Sequence, residues 1–173
     1  MPLPDEVASI IRDVPDFPIE GILFKDITPV LQSGPTLTRL IDHFKARYAG
    51  QGIQRVVGIE SRGFIFGTAL AYGLGIGLSL VRKPGKLPWK TERVEYELEY
   101  GTDALEIHTD SFPTGESVVV VDDLLATGGT AAATVDLITR AGGKVVECAF
   151  VIELSALGGR EKLSAPTYSL LQY

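Results

Sequence analysis

Four consecutive valines, Val118 to Val121, run directly into Asp122 and Asp123, and then through Leu124-Leu125-Ala126 into Thr127-Gly128-Gly129-Thr130. An apolar run without alternation predicts a strand buried on both faces, here over residues 117–121, as in a parallel sheet carrying helices on either side. The polar, glycine-containing stretch predicts a short loop. A helix is expected over residues 130–141, stopped by Gly142-Gly143. Few chains can accommodate this order of elements except as a strand–loop–helix unit of an α/β fold.

The rest of the sequence keeps the same rhythm. Residues 55–59 and 77–81 read as short apolar strands, residues 63–72 as a helix and residues 145–152 as another buried strand. Towards the N-terminus, Val7, Ile10, Ile11 and Val14 share a helical face. Pro15 and Pro18 interrupt it, and residues 16–27 cross as loop or short strand. A second helix follows Pro35, with Leu37, Leu40, Ile41, Phe44 and Tyr48 at helical spacing. Residues 94–100 instead alternate: Val94, Tyr96, Leu98 and Tyr100 oppose Glu95, Glu97 and Glu99. That period of two predicts a strand, and Gly101-Thr102-Asp103 can turn it into a hairpin continued by Leu105 and Ile107. Glu95 and Glu97 read as a solvated face. The expected architecture is α/β: a central, mostly parallel sheet flanked by helices, with a β-hairpin projecting from it. No repeat or linker divides residues 1–173, so one domain is expected.

Composition narrows the function classes. With 173 residues, 45% of them hydrophobic, the chain can bury a sizeable core and does not read as disordered. A net charge of -6 argues against a nucleic-acid partner, which calls for a basic surface. No apolar stretch reaches the roughly 20 residues of a membrane span, and Met1 to Asp5 lack the start of a secretory signal. A cytoplasmic location and no membrane partner are the expectations. Cys148, the single cysteine, lies in an apolar run and reads as a buried, inert thiol. His43 and His108 have no partner motif and read as helix or surface residues.

The loop after the valines carries the chemistry. Ligands of open α/β sheets bind beyond the carboxyl ends of the strands. Free N–H groups at a helix start attract anions, and glycines let the backbone approach them closely. Ala126, Thr127, Gly128, Gly129 and Thr130 therefore suit a phosphate, with two hydroxyl donors added. Asp122 and Asp123 suit the adjacent hydroxyls of a ribose and a sugar carbon that becomes positive. Two other readings fail on missing residues. A Walker B strand requires a Gly-Lys-Ser/Thr loop elsewhere, and there is none. Gly73, Gly75 and Gly77 lack the final spacing of a dinucleotide fingerprint. A plain strand–turn–helix corner is the remaining alternative.

Residues 118–130 resemble the signature by which type I phosphoribosyltransferases bind 5-phosphoribosyl-1-pyrophosphate (PRPP). The resemblance implies that Asp122 and Asp123 hold the ribose hydroxyls and that residues 126–130 wrap the 5-phosphate. It assigns Glu60-Ser61-Arg62-Gly63 to pyrophosphate, often with a non-proline cis peptide near Ser61. Arg62 would serve as a bidentate donor to the leaving group. Lys83 and Lys86 would bind pyrophosphate too, and Arg82 would act there or across a homodimer interface. Mg²⁺ is implied as cofactor, bound mainly through substrate and water.

The base is implied by a longer likeness. Residues 17–29, 60–67, 85–88, 98–101 and 170–173 resemble adenine phosphoribosyltransferases in order and without large gaps, from about Asp16 to the end. That family converts adenine and PRPP to AMP and pyrophosphate. The implied layout is a type I phosphoribosyltransferase fold with an N-terminal helix and base-binding hood over residues 1–34. A flexible loop and hairpin would occupy residues 83–108. Phe24 would cover the purine face, while the backbone near Leu23 and Lys25 would read its edge. Many relatives carry Arg where this chain has Lys25, which keeps the charge but not the planar fork. Residues 90–97 match less well than their flanks. Glu99 is the candidate to take the proton from the base, and Tyr100 would contact substrate as the loop closes. Transfer of another base, or a purine- or PRPP-sensing role without turnover, remains open at this point.

Overall fold

In the computed structural model the described residues are 1–98 and 101–173. They form two compact units, Met1–Arg47 and Tyr48–Tyr173. The expected hood, residues 1–34, falls in the first.

In the first unit, α1 (Leu3–Ile10) carries Asp5 and Glu6 in its first turn, where they complement the helix dipole. It ends earlier than its apolar spacing suggests. Pro15 biases Val14 towards extended backbone, and β1 (Arg12–Pro15) pairs antiparallel with β2 (Leu23–Asp26). Two helices follow, α2 (Thr28–Gln32) and α3 (Gly34–Tyr48). Glu6 ties α1 to α3 by accepting a hydrogen bond from the Thr36 hydroxyl at 2.9 Å and pairing with Arg39. Leu40 and Phe44, at the spacing read from the sequence, are buried.

The second unit is built on five parallel strands. Three of them are β3 (Arg55–Ile59), β4 (Gly77–Val81) and β7 (Ser117–Leu125). The others are β8 (Lys144–Glu153) and β9 (Thr167–Gln172), and the order is β4-β3-β7-β8-β9. Between β4 and β7 the chain makes the antiparallel hairpin β5 (Thr91–Glu97) and β6 (Thr102–His108). Thr102 and Asp103 thus belong to β6, not to the turn expected of them. As read from the alternation, Val94 is buried while Glu95 and Glu97 are exposed.

Helices α4 (Gly63–Leu74) and α5 (Gly129–Arg140) cover opposite faces of this sheet. Successive strand side chains point to opposite faces. Val57, Ile59, Val118 and Val120 join one core cluster with Val135 and Ile138 of α5 and Val94, Leu105 and Ile107 of the hairpin. Val56 and Gly58 face α4 instead. A methyl built at Gly58 would stand 3.2 Å from the Phe64 ring, so a bare backbone there lets the helix sit against the strand. Val118 to Val121 are all fully buried, and each contributes about 1.5 kcal/mol or more by leaving water.

β7 runs past Val121, where the strand was expected to stop. Leu124 and Leu125 still pair with Ile152 and Glu153 of β8, so both aspartates sit inside the strand's last turn of pleat. Strand β9 follows Pro166 and was not evident from the sequence. It is held through Glu153, which accepts from Arg160 Nε at 2.9 Å and from Ser169 Oγ at 2.7 Å, while Arg160 Nη1 donates to the Thr167 carbonyl at 2.6 Å.

Cys148 is fully buried in β8. Burial, reinforced by the charge of Glu147, pushes its thiol up to about 12. A disulfide-exchange reagent at pH 8 is therefore expected to label the folded protein negligibly and the urea-unfolded protein at once. Rapid labelling in native buffer would contradict the burial.

Candidate active site

Neighbouring parallel strands deliver three loops to one edge of the sheet. β3 ends in Glu60-Ser61-Arg62, β4 in Arg82-Lys83, and β7 in Ala126-Thr127-Gly128. The peptide bond between Glu60 and Ser61 is cis. A cavity of about 200 Å³ opens here, lined by Glu60, Lys83, Asp122 and residues 124–131.

The loop after β7 is shaped by contacts that only glycine permits. Gly128 adopts φ 82° as the residue preceding α5. A methyl built on it would collide with the Gly159 carbonyl, and one built on Gly159 would collide with the Ala126 carbonyl. The loop is thus pressed against the Gly158-Gly159 turn, backbone to backbone. The helical bonding of α5 opens with Ala132 N–H donating to the Gly128 carbonyl at 2.9 Å. The N–H groups before it belong to the open first turn, where anions are favoured. Among the described residues no side chain caps this end.

Each basic side chain expected to bind pyrophosphate is held by an acid. Arg62 donates through Nε to Asp123. Glu60 gathers three donors: Lys86 Nζ at 2.5 Å, Lys83 N–H at 2.9 Å and Arg82 Nη2 at 3.4 Å. Burial opposes ionisation of Glu60, but these bonds outweigh it and hold the carboxyl down at about 2. The clamp's contribution to stability is therefore complete above the ordinary glutamate range and is lost only as pH falls through about 2. Lys83 pairs through Nζ with Asp103. Burial works against its charge as well, yet Asp103 and Tyr96 raise its pKa overall.

The two aspartates differ. Burial and the adjacent charge of Asp123 push the Asp122 carboxyl well above the usual range. A hydroxyl donor or a cation set against Asp122 would favour its ionised form. Asp123 is already engaged with Arg62.

The first unit has a groove of its own, about 260 Å³, lined by Val14, Phe17, Phe24 and Asp26. The Phe17 and Phe24 rings meet edge to face with centroids 5.1 Å apart. Leu23 is exposed beside them. Lys25 lies opposite Asp13 in the β1–β2 register and pairs with it at 2.6 Å.

Of the residues singled out from the sequence, Ser61, Arg62, Arg82, Lys83, Lys86, Asp122, Asp123 and residues 126–130 come together at this edge. Leu23, Phe24 and Lys25 lie on β2 of the first unit. Glu99 and Tyr100 fall outside the described residues. Sequence reading missed Asp103, hidden in a supposed turn, and Glu60 as the hub of the cations. It also missed Tyr96, whose hydroxyl lies 3.2 Å from Thr130 Oγ1. Only its place on the apolar side of the alternation hinted at contact with the interior.

The phosphoribosyl transferase domain family matches residues 48–172. An adenine phosphoribosyltransferase of Chloroflexus aurantiacus is 59% identical over 97% of this chain and 98% of its own. The crystal structure of the adenine phosphoribosyltransferase from Thermoanaerobacter pseudethanolicus is similar with a TM-score of 0.95 and 48% identity, covering 98% of this chain and 99% of that one. The Saccharomyces cerevisiae enzyme, complexed with an imino-altritol bisphosphate and adenine, gives a TM-score of 0.93 at 42% identity over 98% of both chains.

Replacing Gly128 by Ala tests the loop's shape. The positive φ and the collision with Gly159 together cost about 1–3 kcal/mol. We expect the variant to keep the sheet's circular dichroism and to need about tenfold more phosphorylated substrate for half-saturation. Unchanged saturation would mean that the loop does not hold the phosphate.

Proposed function

The chain belongs to the phosphoribosyltransferase family, among the adenine phosphoribosyltransferases, and on that premise we propose that it joins adenine to PRPP, giving AMP and pyrophosphate. The observation that carries the reading is the open start of α5 behind Gly128, set at the same cavity as Asp122 and Lys83. One end of that cavity suits a sugar phosphate and the other a polyanionic leaving group.

The reaction forms a bond between adenine N9 and the anomeric carbon as the bond from that carbon to the pyrophosphate oxygen breaks. The electron pair leaves with pyrophosphate, and the N9 proton must be taken up. Amides of residues 127–130 and the Thr127 and Thr130 hydroxyls hold the 5-phosphate. Asp122 and Asp123 accept hydrogen bonds from the ribose hydroxyls and favour the positive charge that grows on the ring. Arg62, Arg82 and Lys86 exchange their carboxylate partners for pyrophosphate oxygens, and Lys83 turns its remaining donor to them while staying paired with Asp103, which concentrates positive charge where negative charge develops. Ser61 adds a hydroxyl beside them. Phe24 stacks on the purine, and the backbone at Leu23 and Lys25 reads N1 and N6. Support for this comes from the Phe17–Phe24 groove and from the adenine present in the yeast structure. Glu99 is proposed, on sequence grounds, to take the N9 proton, with Tyr100 contacting substrate beside it.

Mg²⁺ is part of the proposal. Asp122 and Asp123 offer the oxygen donors this ion prefers. Among the described residues no group of three or more His, Cys, Asp and Glu side chains gathers to hold a metal. The two carboxylates would hold such an ion together with oxygens of the substrate and water. When bound it neutralises charge on the pyrophosphate. A cytoplasmic site of action belongs to the same proposal, since so highly charged a donor does not cross a bilayer unaided and has to be used in the compartment that makes it. Among the described residues no helix is long and apolar enough to span a membrane. A homodimer is supported by large apolar side chains left in solvent, Ile65 and Tyr72 two turns apart on α4 at 43% and 89% exposure and Leu80 on the edge strand β4. Exposed apolar groups gathered into a patch mark interaction surfaces.

The deciding assay is pyrophosphate release from PRPP with adenine or hypoxanthine as acceptor. Adenine is expected to be preferred by at least about 100-fold, since the site's hydrogen-bonding groups mismatch the other base. Release with hypoxanthine at an equal rate would change the substrate, and none with either base would remove the enzyme. Asp122→Asn should slow turnover about 100-fold without altering the melting temperature greatly; wild-type kcat/KM would remove its ribose role.

Light scattering should give the mass of two chains, and Tyr72→Glu should shift it to one. A wild-type mass of one chain would end the dimer.

A further inference from the structure

Tyr96 stands outside the cavity, yet it touches both ends of it. Its hydroxyl is 3.2 Å from Thr130 Oγ1 in the phosphate loop, accepts from Lys83 Nζ at 3.3 Å, and donates to Asp103 Oδ2 at 3.2 Å. Asp103 in turn pairs directly with Lys83. Thr130 and Lys83 both line the cavity, whereas Tyr96 and Asp103 do not. The contact with the loop is more than one hydrogen bond. A methyl built on Gly129 would meet the Tyr96 ring at 3.4 Å, so the ring lies flush against the first residue of α5. Tyr96 and Asp103 also face each other across the hairpin register.

Neither residue belongs to a motif that predicts substrate contact. Their arrangement nevertheless defines the position of Lys83. An ammonium group on a flexible four-carbon stem has three donors and little orientational preference of its own. Tyr96 and Asp103 engage two of these donors, which leaves one to aim at a ligand. The negative charge of Asp103 also keeps the lysine protonated, as expected for a group that must meet an anion.

We propose that Tyr96 and Asp103 are positioning residues that fix Lys83 relative to the phosphate loop, so that the two anionic ends of PRPP meet donors at a set separation. Asp103 acts on the pyrophosphate end alone. Tyr96 acts on both ends because it touches both Lys83 and Thr130. The inference rests on the PRPP reading above and adds to it two residues on the hairpin.

The test measures product inhibition. Pyrophosphate occupies only the leaving-group end, and AMP only the sugar-phosphate end. In Asp103→Asn the inhibition constant for pyrophosphate and the KM for PRPP should rise about tenfold, while that for AMP stays within about twofold. In Tyr96→Phe, which keeps the ring, both inhibition constants should rise. The double variant should be no worse for pyrophosphate than the worse single one, since both act through Lys83. Wild-type inhibition constants in both variants would overturn the proposal. So would a lower melting temperature with unchanged constants, since that marks a purely structural pair. Wild-type turnover is measured in the same assay. Its absence ends the PRPP reading, whereas its presence beside unaffected variants ends the bridge alone.

Discussion

A strand covered on both faces can meet a ligand only at its ends. That constraint governs the second unit. β7 is buried between α4 on one side and α5 with the hairpin on the other. Its side chains are consumed by the core, and its chemistry is confined to the residues where pairing with β8 runs out. There the backbone turns sharply through Gly128 and starts a helix whose first residues line the cavity. The same packing that makes Val118 to Val121 unavailable for function makes Asp122 to Thr130 the place where function has to be. β3 and β4 are parallel neighbours, so their loops arrive at the same edge without any further device.

Electrostatics then settles how an acidic chain can receive a polyanion. The net charge of -6 is a property of the whole surface. At the site Arg62, Lys83, Lys86 and Arg82 are concentrated, and each is matched to Asp123, Asp103 or Glu60. These ion pairs keep long basic side chains close to where they will be used. For Arg62, Arg82 and Lys86 they also mean that a ligand gains only the difference between its own oxygens and the carboxylates it displaces. Such an exchange favours a ligand whose charge is developing over one whose charge is fixed, which is the requirement for a leaving group. The conflict between Asp122 and Asp123, one pushed towards protonation and the other bound to Arg62, follows from placing two carboxyls at consecutive positions of a strand end that is largely shielded from water.

The sequence made some elements legible to the residue and others not at all. Arg55–Ile59 and Gly77–Val81 appear as strands with the bounds read from their apolar runs, because short buried strands carry their own limits. β7 overran its expected end because pairing with β8 outlasts the apolar run and carries polar side chains along. α1 stopped short because a proline outweighed an apolar period. Strand β9 was not evident, since Thr167 to Gln172 mixes polar and apolar residues and gains its place only from β8 and the Glu153–Arg160 pair. Within the site, residues that bind through local backbone chemistry were readable from their motif. Glu60, Asp103 and Tyr96 act through partners distant in sequence, and no spacing rule connects Thr130 to a hairpin tyrosine 34 residues away.

All of this returns to a backbone grip on a sugar phosphate. A crystal structure of the protein soaked with AMP tests it most directly. The account places the phosphorus within hydrogen-bonding reach of the amides of residues 127–130, with the ribose hydroxyls against Asp122 and Asp123. Clear density for AMP elsewhere on the chain, with the turn before α5 holding only water, would contradict it.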